Sequence, residues 1–227
     1  MDWRRCLERI GWLVSGATLP LLMVIPVQSS PRLVVLLRHG HKDSPVNQAR
    51  NYNLSRKGLV DALRLGHMLM ACVLPDGPMH LASYSFDDRS GKNARSYQTL
   101  VPLAVFTGQN IRVFSSADER SERIGRELVA APEFEGGTVV MAWEHRHLPM
   151  LARGLGWSRM PRIRDDDFDG LWLLRYSGVQ GEPAVSQMSQ AELRRRDCFI
   201  KSGPAGHPLQ QLAQQLLLPL MVQSGER

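Results

Sequence analysis

The sequence predicts an α/β fold of three layers, in which a mostly parallel central sheet carries helices on both faces. Apolar strand-like runs alternate with amphipathic helix-like segments, and strands joined through helices form parallel pairs by crossover connections. The first run, 33–37, is continuously apolar, which is typical of a parallel strand buried on both faces. With 227 residues, 43% hydrophobic and 22% charged, the chain has the composition of an ordinary globular domain.

The strand predictions rest on short apolar runs that end at Gly, Pro, Asn, Asp or Ser. The segment 75–78, Pro-Asp-Gly-Pro, separates the first helix from the second strand. In such a sheet, ligands bind at the carboxyl ends of the strands. The predicted strands are 33–37, 80–84, 111–114, 138–143 and 171–176.

The helix predictions rest on apolar residues at helical spacing and on capping residues. Ser55 is a plausible N-cap of the first helix, and Pro102 is expected to bend or shorten the second. Ser116 is expected to cap the third, with Asp118 and Glu119 in its first turn, where the helix dipole favours acids. The predicted helices are 55–73, 96–106, 116–130, 148–155 and an amphipathic closing helix at 209–222.

The first thirty residues differ from the domain predicted at 31–227. Three arginines (4, 5 and 9) precede an apolar stretch, 10–27, and small polar residues follow. This order is the layout of a signal peptide, which predicts a secreted or periplasmic protein. A retained membrane anchor is one alternative. A mis-assigned start or a buried helix is another, and would leave the protein cytoplasmic; no Ala-x-Ala cleavage site is found.

The net charge of +6 and the pI of about 9.6 indicate anionic partners. The basic residues are scattered, and the densest run, 194–196, has acidic neighbours, so nucleic acid is not predicted as a partner. The expected partner is a small phosphorylated substrate or a phosphoprotein. Of the three cysteines, Cys72 and Cys198 remain if a leader is removed, either as a disulfide or as two buried thiols.

Candidate catalytic residues follow the first and fourth predicted strands. Arg38, His39 and Gly40 end the first strand, where a neutral imidazole can attack phosphorus and an adjacent guanidinium can bind phosphate oxygens. Gly40 would let the backbone approach a ligand closely. Glu144 and His145 end the fourth strand. A structural alternative is open for each residue, namely a satisfied histidine or an ordinary ion pair.

Arg95 begins the predicted second helix, and helix N-termini attract phosphate. The ordered set of motifs resembles the histidine phosphatase superfamily, with its phosphoglycerate mutase-like fold, over roughly residues 32–177. The matching segments are Leu36–Lys42, Asn53–Gly58, Arg95–Thr99 and Trp143–His145. The segments 151–156 and 167–169 are similar to those of small bacterial phosphatases of that superfamily.

The resemblance implies a metal-independent phosphoric monoester hydrolase that works through a phosphohistidine intermediate on His39. It also implies that Arg38, Arg95 and His145 bind the phosphoryl group, and that no cofactor is needed. A mutase-type phosphotransferase and a non-catalytic phospholigand-binding protein on the same fold are the alternatives. The mutases' substrate-binding insertions are not recognisable in this sequence, which favours a phosphatase.

Two features leave the chemistry open. The serine-proline-leucine lead into the second arginine is absent, and the proton donor does not map directly. Glu144 is the first candidate for the donor, and Asp118 or Glu119 the second. The chemical rival is a zinc hydrolase that uses the His-x-His pairs at positions 39, 41, 145 and 147 with Asp43.

Overall fold

A computed structural model describes residues 30–42, 51–114, 118–178, 181–196 and Cys198. These residues form six strands and five helices, which alternate along the chain except that β5 and β6 are consecutive. The strands are β1 Leu33–Arg38, β2 Met79–Tyr84, β3 Ile111–Phe114, β4 Thr138–Trp143, β5 Gly170–Arg175 and β6 Ala184–Ser189. The helices are α1 Arg56–Cys72, α2 Arg95–Thr107, α3 Asp118–Ala130, α4 Leu148–Gly154 and α5 Gln190–Arg195, with a 3-10 turn at Pro132–Phe134.

The strands form one sheet in the order β3-β2-β4-β1-β5-β6. The pairs β2–β3, β2–β4 and β1–β4 are parallel, whereas β5 is antiparallel to both β1 and β6. The predicted three-layer fold with a mostly parallel sheet is therefore confirmed. Because β5 is antiparallel to β1, the first residues of β5 lie beside the last residues of β1, at the end of the sheet where ligands are expected to bind.

Two hydrophobic cores, one on each face of the sheet, result from the alternation of side chains along the strands. Along β1, Val34 and Leu36 face one core, and Leu33, Val35 and Leu37 face the other. The first core contains residues of α3 and α4, and the second contains residues of α1, α2 and α5. Because both faces of β1 and β4 are covered, these strands have no polar face in the sequence.

Helix α1 starts as predicted, and its cap joins it to the loop after β1. The Ser55 side chain accepts a hydrogen bond from the backbone N–H of Gly58, and the Ser55 N–H donates to the carbonyl oxygen of His41 at 3.0 Å. A Cβ atom at Gly58 would lie 2.2 Å from that same oxygen. Glycine is therefore required where the helix packs against the loop. In α2, Pro102 lies inside the helix without ending it.

The sequence patterns missed β6 and α5. All six residues of β6 are exposed or partly exposed, so the strand lacks the apolar alternation that would identify it, and α5 has only six residues. Residues 1–29 of the predicted leader (1–30), the cap Ser116 and the predicted helix 209–222 lie outside the described residues. No helix in the described part of the chain has the length and apolarity needed to cross a bilayer.

A disulfide joins Cys72, the last residue of α1, to Cys198, just beyond α5, with 5.6 Å between their Cα atoms. Of the two alternatives left by the sequence, the structure therefore has the paired one. The bridge links the region after the edge strand β6 to the helix that follows β1. It closes a loop across a sequence separation of 126 residues.

We expect Cys72→Ser to lower the free energy of unfolding by about 4–5 kcal/mol, because a bridge across so long a loop removes much of the conformational freedom of the unfolded chain. Urea denaturation of the oxidised wild type and of the variant measures this difference. As a control, a reducing agent should destabilise the wild type and leave Cys72→Ser unchanged. Equal sensitivity of the two proteins to the reducing agent would contradict the assignment.

Candidate active site

The pairing of β1 with β4 brings the two predicted catalytic segments together. The strands are parallel, with Arg38 opposite Trp143, and the backbone N–H of His39 donates to the carbonyl oxygen of Trp143 at 3.1 Å. His39 and Glu144 are the next residues on each chain. Their side chains, with that of His145, offer ligand atoms that lie within 4.8 Å of one another. The site therefore forms at the carboxyl ends of these strands, as predicted.

His39 is 4% exposed, and its ring is held by a short backbone contact. Its Nδ1 lies 2.9 Å from the carbonyl oxygen of Gly40, which can only accept, so Nδ1 carries the proton and Nε2 keeps its lone pair. Burial lowers the pKa of His39 to about 3, and the positive charges of Arg38 and Arg95 act in the same direction. The imidazole is therefore neutral at neutral pH, as a nucleophile requires.

The loop that carries His39 is tied to α2 through Thr99. The Gly40 N–H donates to Thr99 Oγ1 at 2.8 Å, and the Thr99 hydroxyl donates to the carbonyl oxygen of Arg95 at 2.7 Å. The bond from Thr99 to Arg95 spans one helical turn, which accounts for the spacing of four residues between them. A Cβ at Gly40 would lie 3.1 Å from Leu54 and 3.3 Å from the Gly58 oxygen, so protein atoms, rather than the expected ligand, make the close approach at Gly40.

Arg38 is 3% exposed and only partly hydrogen-bonded. Its Nη1 donates to the carbonyl oxygens of Arg164 and Asp167, each at 2.8 Å, and its guanidinium lies 3.9 Å from the centroid of the Phe168 ring. Its Nε and Nη2 are buried and have no hydrogen-bond partner among the described residues. Burial lowers the pKa of Arg38 to about 10, so the side chain stays charged at pH 7. Two buried cationic donors are thus left for an anion.

Arg95, the first residue of α2, contributes a second positive charge. Its Nε is buried and unpaired within the described residues. Burial lowers its pKa, and the negative charge of Glu144 opposes that effect. The charge of Arg95 also acts on His39. Arg95, Glu144 and His39 therefore belong to one electrostatic cluster.

Glu144 lies where the chain turns out of β4, so that it and His145 both reach the site. The carbonyl oxygen of Glu144 accepts from the backbone N–H groups of His147 and Leu148, which closes this turn. Its carboxylate accepts from the N–H of Arg146 at 2.7 Å and from Arg146 Nε at 3.0 Å. Burial raises the pKa of Glu144, but contacts with His145 and Arg146 outweigh it and lower the pKa to about 2. Glu144 is therefore an anion in the ligand-free site.

His145 lies between two carboxylates. Its Nε2 is 2.7 Å from Asp165 Oδ1, and its Nδ1 is 3.0 Å from Glu144 Oε1, although Nδ1 makes no hydrogen bond of acceptable geometry. Sequence reasoning missed Asp165. The run of three aspartates at 165–167, just before β5, could have indicated it. These aspartates lie near the site only because β5 runs antiparallel to β1.

The other two histidine candidates pack against aromatic rings, although His147 Nε2 also lies 3.8 Å from Glu144 Oε2. The ring of His41 packs on Phe168 with centroids 4.1 Å apart, and that of His147 stacks on Tyr84 at 5.2 Å. Within the described residues, the metal-ligand side chains that lie together are His39, Glu144 and His145, so the four-histidine zinc site considered as an alternative does not form. Asp43 and the side chains of Asp118 and Glu119 lie outside the described residues.

Two cavities flank the cluster. One, of about 420 Å³, is lined by Arg38, Gly40 and His41 together with Phe168 and its acidic neighbours. The other, of about 510 Å³, is lined by Glu144 and Arg146 together with Lys92, Asn93 and Tyr84. Both cavities contain charged side chains of either sign, and each includes one residue of the cluster, Arg38 in the first and Glu144 in the second.

We expect Thr99→Val to lower the free energy of unfolding by about 1–3 kcal/mol, because it leaves the Gly40 N–H without its acceptor. Urea denaturation measures the loss. Thr107→Val is the matched control, since Thr107 makes the same bond to its own helix, to the Leu103 oxygen at 2.8 Å, and none to the His39 loop. An equal loss in both variants would show that the link to Gly40 contributes nothing.

No family model matches the chain, and no curated protein matches it significantly. Solved structures that match include three proteins. A mycobacterial glucosyl-3-phosphoglycerate phosphatase is 17% identical, with 70% of this chain and 97% of that chain covered and a TM-score of 0.44. The protein histidine phosphatase SixA complexed with tungstate is 16% identical, with 71% and 99% covered and a TM-score of 0.46. A phosphoglycerate mutase from Bacillus anthracis is 14% identical, with 75% and 98% covered and a TM-score of 0.46. At these values, the likenesses do not bear on the activity of this chain.

Proposed function

We propose that this protein is a phosphatase that hydrolyses a phosphomonoester through a phosphohistidine intermediate on His39, without a metal ion. The observation that carries the proposal is a buried, neutral imidazole beside buried guanidinium nitrogens that lack hydrogen-bond partners among the described residues. Buried cationic donors without partners are costly unless a ligand satisfies them. A phosphoryl group supplies the charge and the oxygens that they need.

In the first step, the lone pair of His39 Nε2 attacks phosphorus. The N–P bond forms as the bond between phosphorus and the leaving oxygen breaks, and that oxygen departs as an alcohol after it receives a proton. In the second step, water attacks phosphorus and gives a proton back to the group that protonated the leaving oxygen, the N–P bond breaks, and inorganic phosphate leaves. The Nδ1–H bond to Gly40 stabilises the positive charge that the ring acquires during attack. Arg38 and Arg95 bind the equatorial oxygens, whose charge is stabilised in the transition state.

The proton for the leaving oxygen comes, in this proposal, from Glu144. Its low pKa applies to the ligand-free site, where cationic contacts stabilise the anion. A bound phosphate brings two negative charges next to it and competes for Arg38, Arg95 and His145, and both effects raise the pKa of a carboxyl group. Glu144 would then be protonated in the complex, where the leaving group needs an acid.

The neutral form of His39 favours catalysis over simple phospholigand binding. A binding protein gains more from a protonated imidazole, which donates two hydrogen bonds to an anion, than from a buried neutral one. The buried neutral imidazole is useful chiefly as a nucleophile, which is why we place the protein among the enzymes.

The protein acts outside the cytoplasm in this proposal. A disulfide between Cys72 and Cys198 is stable in an oxidising compartment and rare in a reducing one. The basic, apolar and small polar order of residues 1–30 supports the same location. Substrates there would be small phosphorylated compounds or phosphoproteins.

We expect His39→Ala to lower kcat by about a thousandfold or more, because no other group replaces the nucleophile. Steady-state assays with p-nitrophenyl phosphate, with and without a chelator, measure the loss and test for a metal requirement. His80→Ala is the control. His80 lies in β2, away from the site, and its ring packs on Phe134. Retained turnover by His39→Ala, or loss of wild-type turnover in the chelator, would refute the mechanism.

The proton-donor role of Glu144 is tested with two leaving groups. Glu144→Gln should slow hydrolysis of an alkyl phosphate by about 100-fold or more, the usual contribution of a general acid, because an alkoxide needs a proton to leave. With p-nitrophenyl phosphate, whose leaving group is already stable as an anion, the loss should be much smaller. Equal losses would indicate that Glu144 instead positions His145, and no loss would transfer the role to Asp118 or Glu119.

A further inference from the structure

We propose that His39, Glu144 and His145 also form a binding site for a divalent transition metal such as Zn²⁺, and that metal binding there inhibits the enzyme. The three residues are 4%, 5% and 8% exposed, and their ligand atoms lie within 4.8 Å of one another. Two imidazole nitrogens and one carboxylate oxygen are the ligand set of one class of zinc sites, which leaves a fourth position for water.

The geometry is close to that of a bound state. Tetrahedral bonds of about 2 Å place ligand atoms about 3.3 Å apart. His145 Nδ1 and Glu144 Oε1, at 3.0 Å, are already near that spacing, and the ligand atoms of all three residues, which lie within 4.8 Å of one another, would draw together around an ion. In addition, His145 Nδ1 is a buried nitrogen whose one close polar neighbour among the described residues is Glu144 Oε1, the other proposed ligand atom, and it makes no well-directed hydrogen bond.

The outer contacts of both histidines are those that orient metal ligands. A ligating histidine usually donates its other ring N–H to a carbonyl or carboxylate oxygen. His39 Nδ1 contacts the carbonyl oxygen of Gly40 at 2.9 Å, and His145 Nε2 contacts Asp165 Oδ1 at 2.7 Å. These contacts leave His39 Nε2 with its lone pair and place a negative charge behind His145, and a metal ion would displace any proton that His145 Nδ1 shares with Glu144.

The charges of Arg38 and Arg95 oppose a cation, while Glu144 and Asp165 attract it. The balance therefore favours an ion that forms strong bonds to nitrogen over a hard cation such as Mg²⁺. The metal would bond to Nε2 of His39, the atom that attacks phosphorus in the proposed mechanism. Coordination and phosphoryl transfer exclude each other, so this inhibitory role rests on the proposed function, whereas the metal site does not.

Titration of the metal-free full chain with Zn²⁺ by calorimetry, and with Co²⁺ by visible absorption, tests the site without reference to activity. We expect one ion per chain. Glu144→Gln, His39→Ala and His145→Ala should each weaken affinity by more than about 100-fold, which exceeds the usual loss for an outer contact. Asp165→Asn, which changes only an outer contact, should weaken it by about 10–100-fold. His80→Ala, the control, should bind as the wild type does.

Unchanged affinity in Glu144→Gln, which conserves size and shape, would overturn the site even if a histidine variant failed to fold. Zn²⁺ should also inhibit p-nitrophenyl phosphate hydrolysis, with recovery in a chelator, and vanadate should weaken Zn²⁺ binding. Activation by Zn²⁺ would overturn both the inhibitory role and the metal-independent mechanism. Metal binding without any phosphatase activity would refute only the proposed function, whereas activity without metal binding would refute only this inference.

Discussion

The parallel pairing of β1 with β4 is the constraint on which the site depends. Both strands are buried on both faces, so a shift of one residue in their register would move apolar side chains between the two cores. That register places Arg38 opposite Trp143, and the polar residues that follow each strand then leave the sheet side by side. Apolar packing along six residue pairs thus determines how closely His39 approaches Glu144 and His145.

The site brings the buried charges of Arg38, Arg95 and Glu144 together with the exposed charge of Asp165. Arg38 and Arg95 carry two positive charges, and Glu144 and Asp165 carry two negative ones around the neutral His39. Each carboxylate has a histidine or arginine partner, whereas parts of both guanidinium groups have none in the described residues. The positive and negative charges of the site are equal in number, but guanidinium nitrogens of Arg38 and Arg95 lack hydrogen-bond acceptors among the described residues. These unpaired donors, rather than the net charge, would allow the site to bind an anion.

Much of this was predictable from the sequence because it depends on local patterns. Continuous apolar runs identified β1 and β4, and the polar residues after them identified the site. Contacts that depend on distant segments were not predictable. Asp165 reaches His145 only because β5 runs antiparallel to β1, and β6 shows no apolar face from which to infer it. The state of Cys72 and Cys198 stayed open because no local pattern connects residues so far apart.

The disulfide also bears on the order of events during synthesis. Cys72 is made 126 residues before Cys198, so its native partner is absent until β2 through α5 have all been translated. During that interval, Cys6, the remaining cysteine of the sequence, is a thiol with which Cys72 could pair instead. Removal of residues 1–30 during export, as proposed, would eliminate this competitor before Cys198 arrives. Cleavage of the leader would then do more than release the protein, since it would leave a single possible pairing.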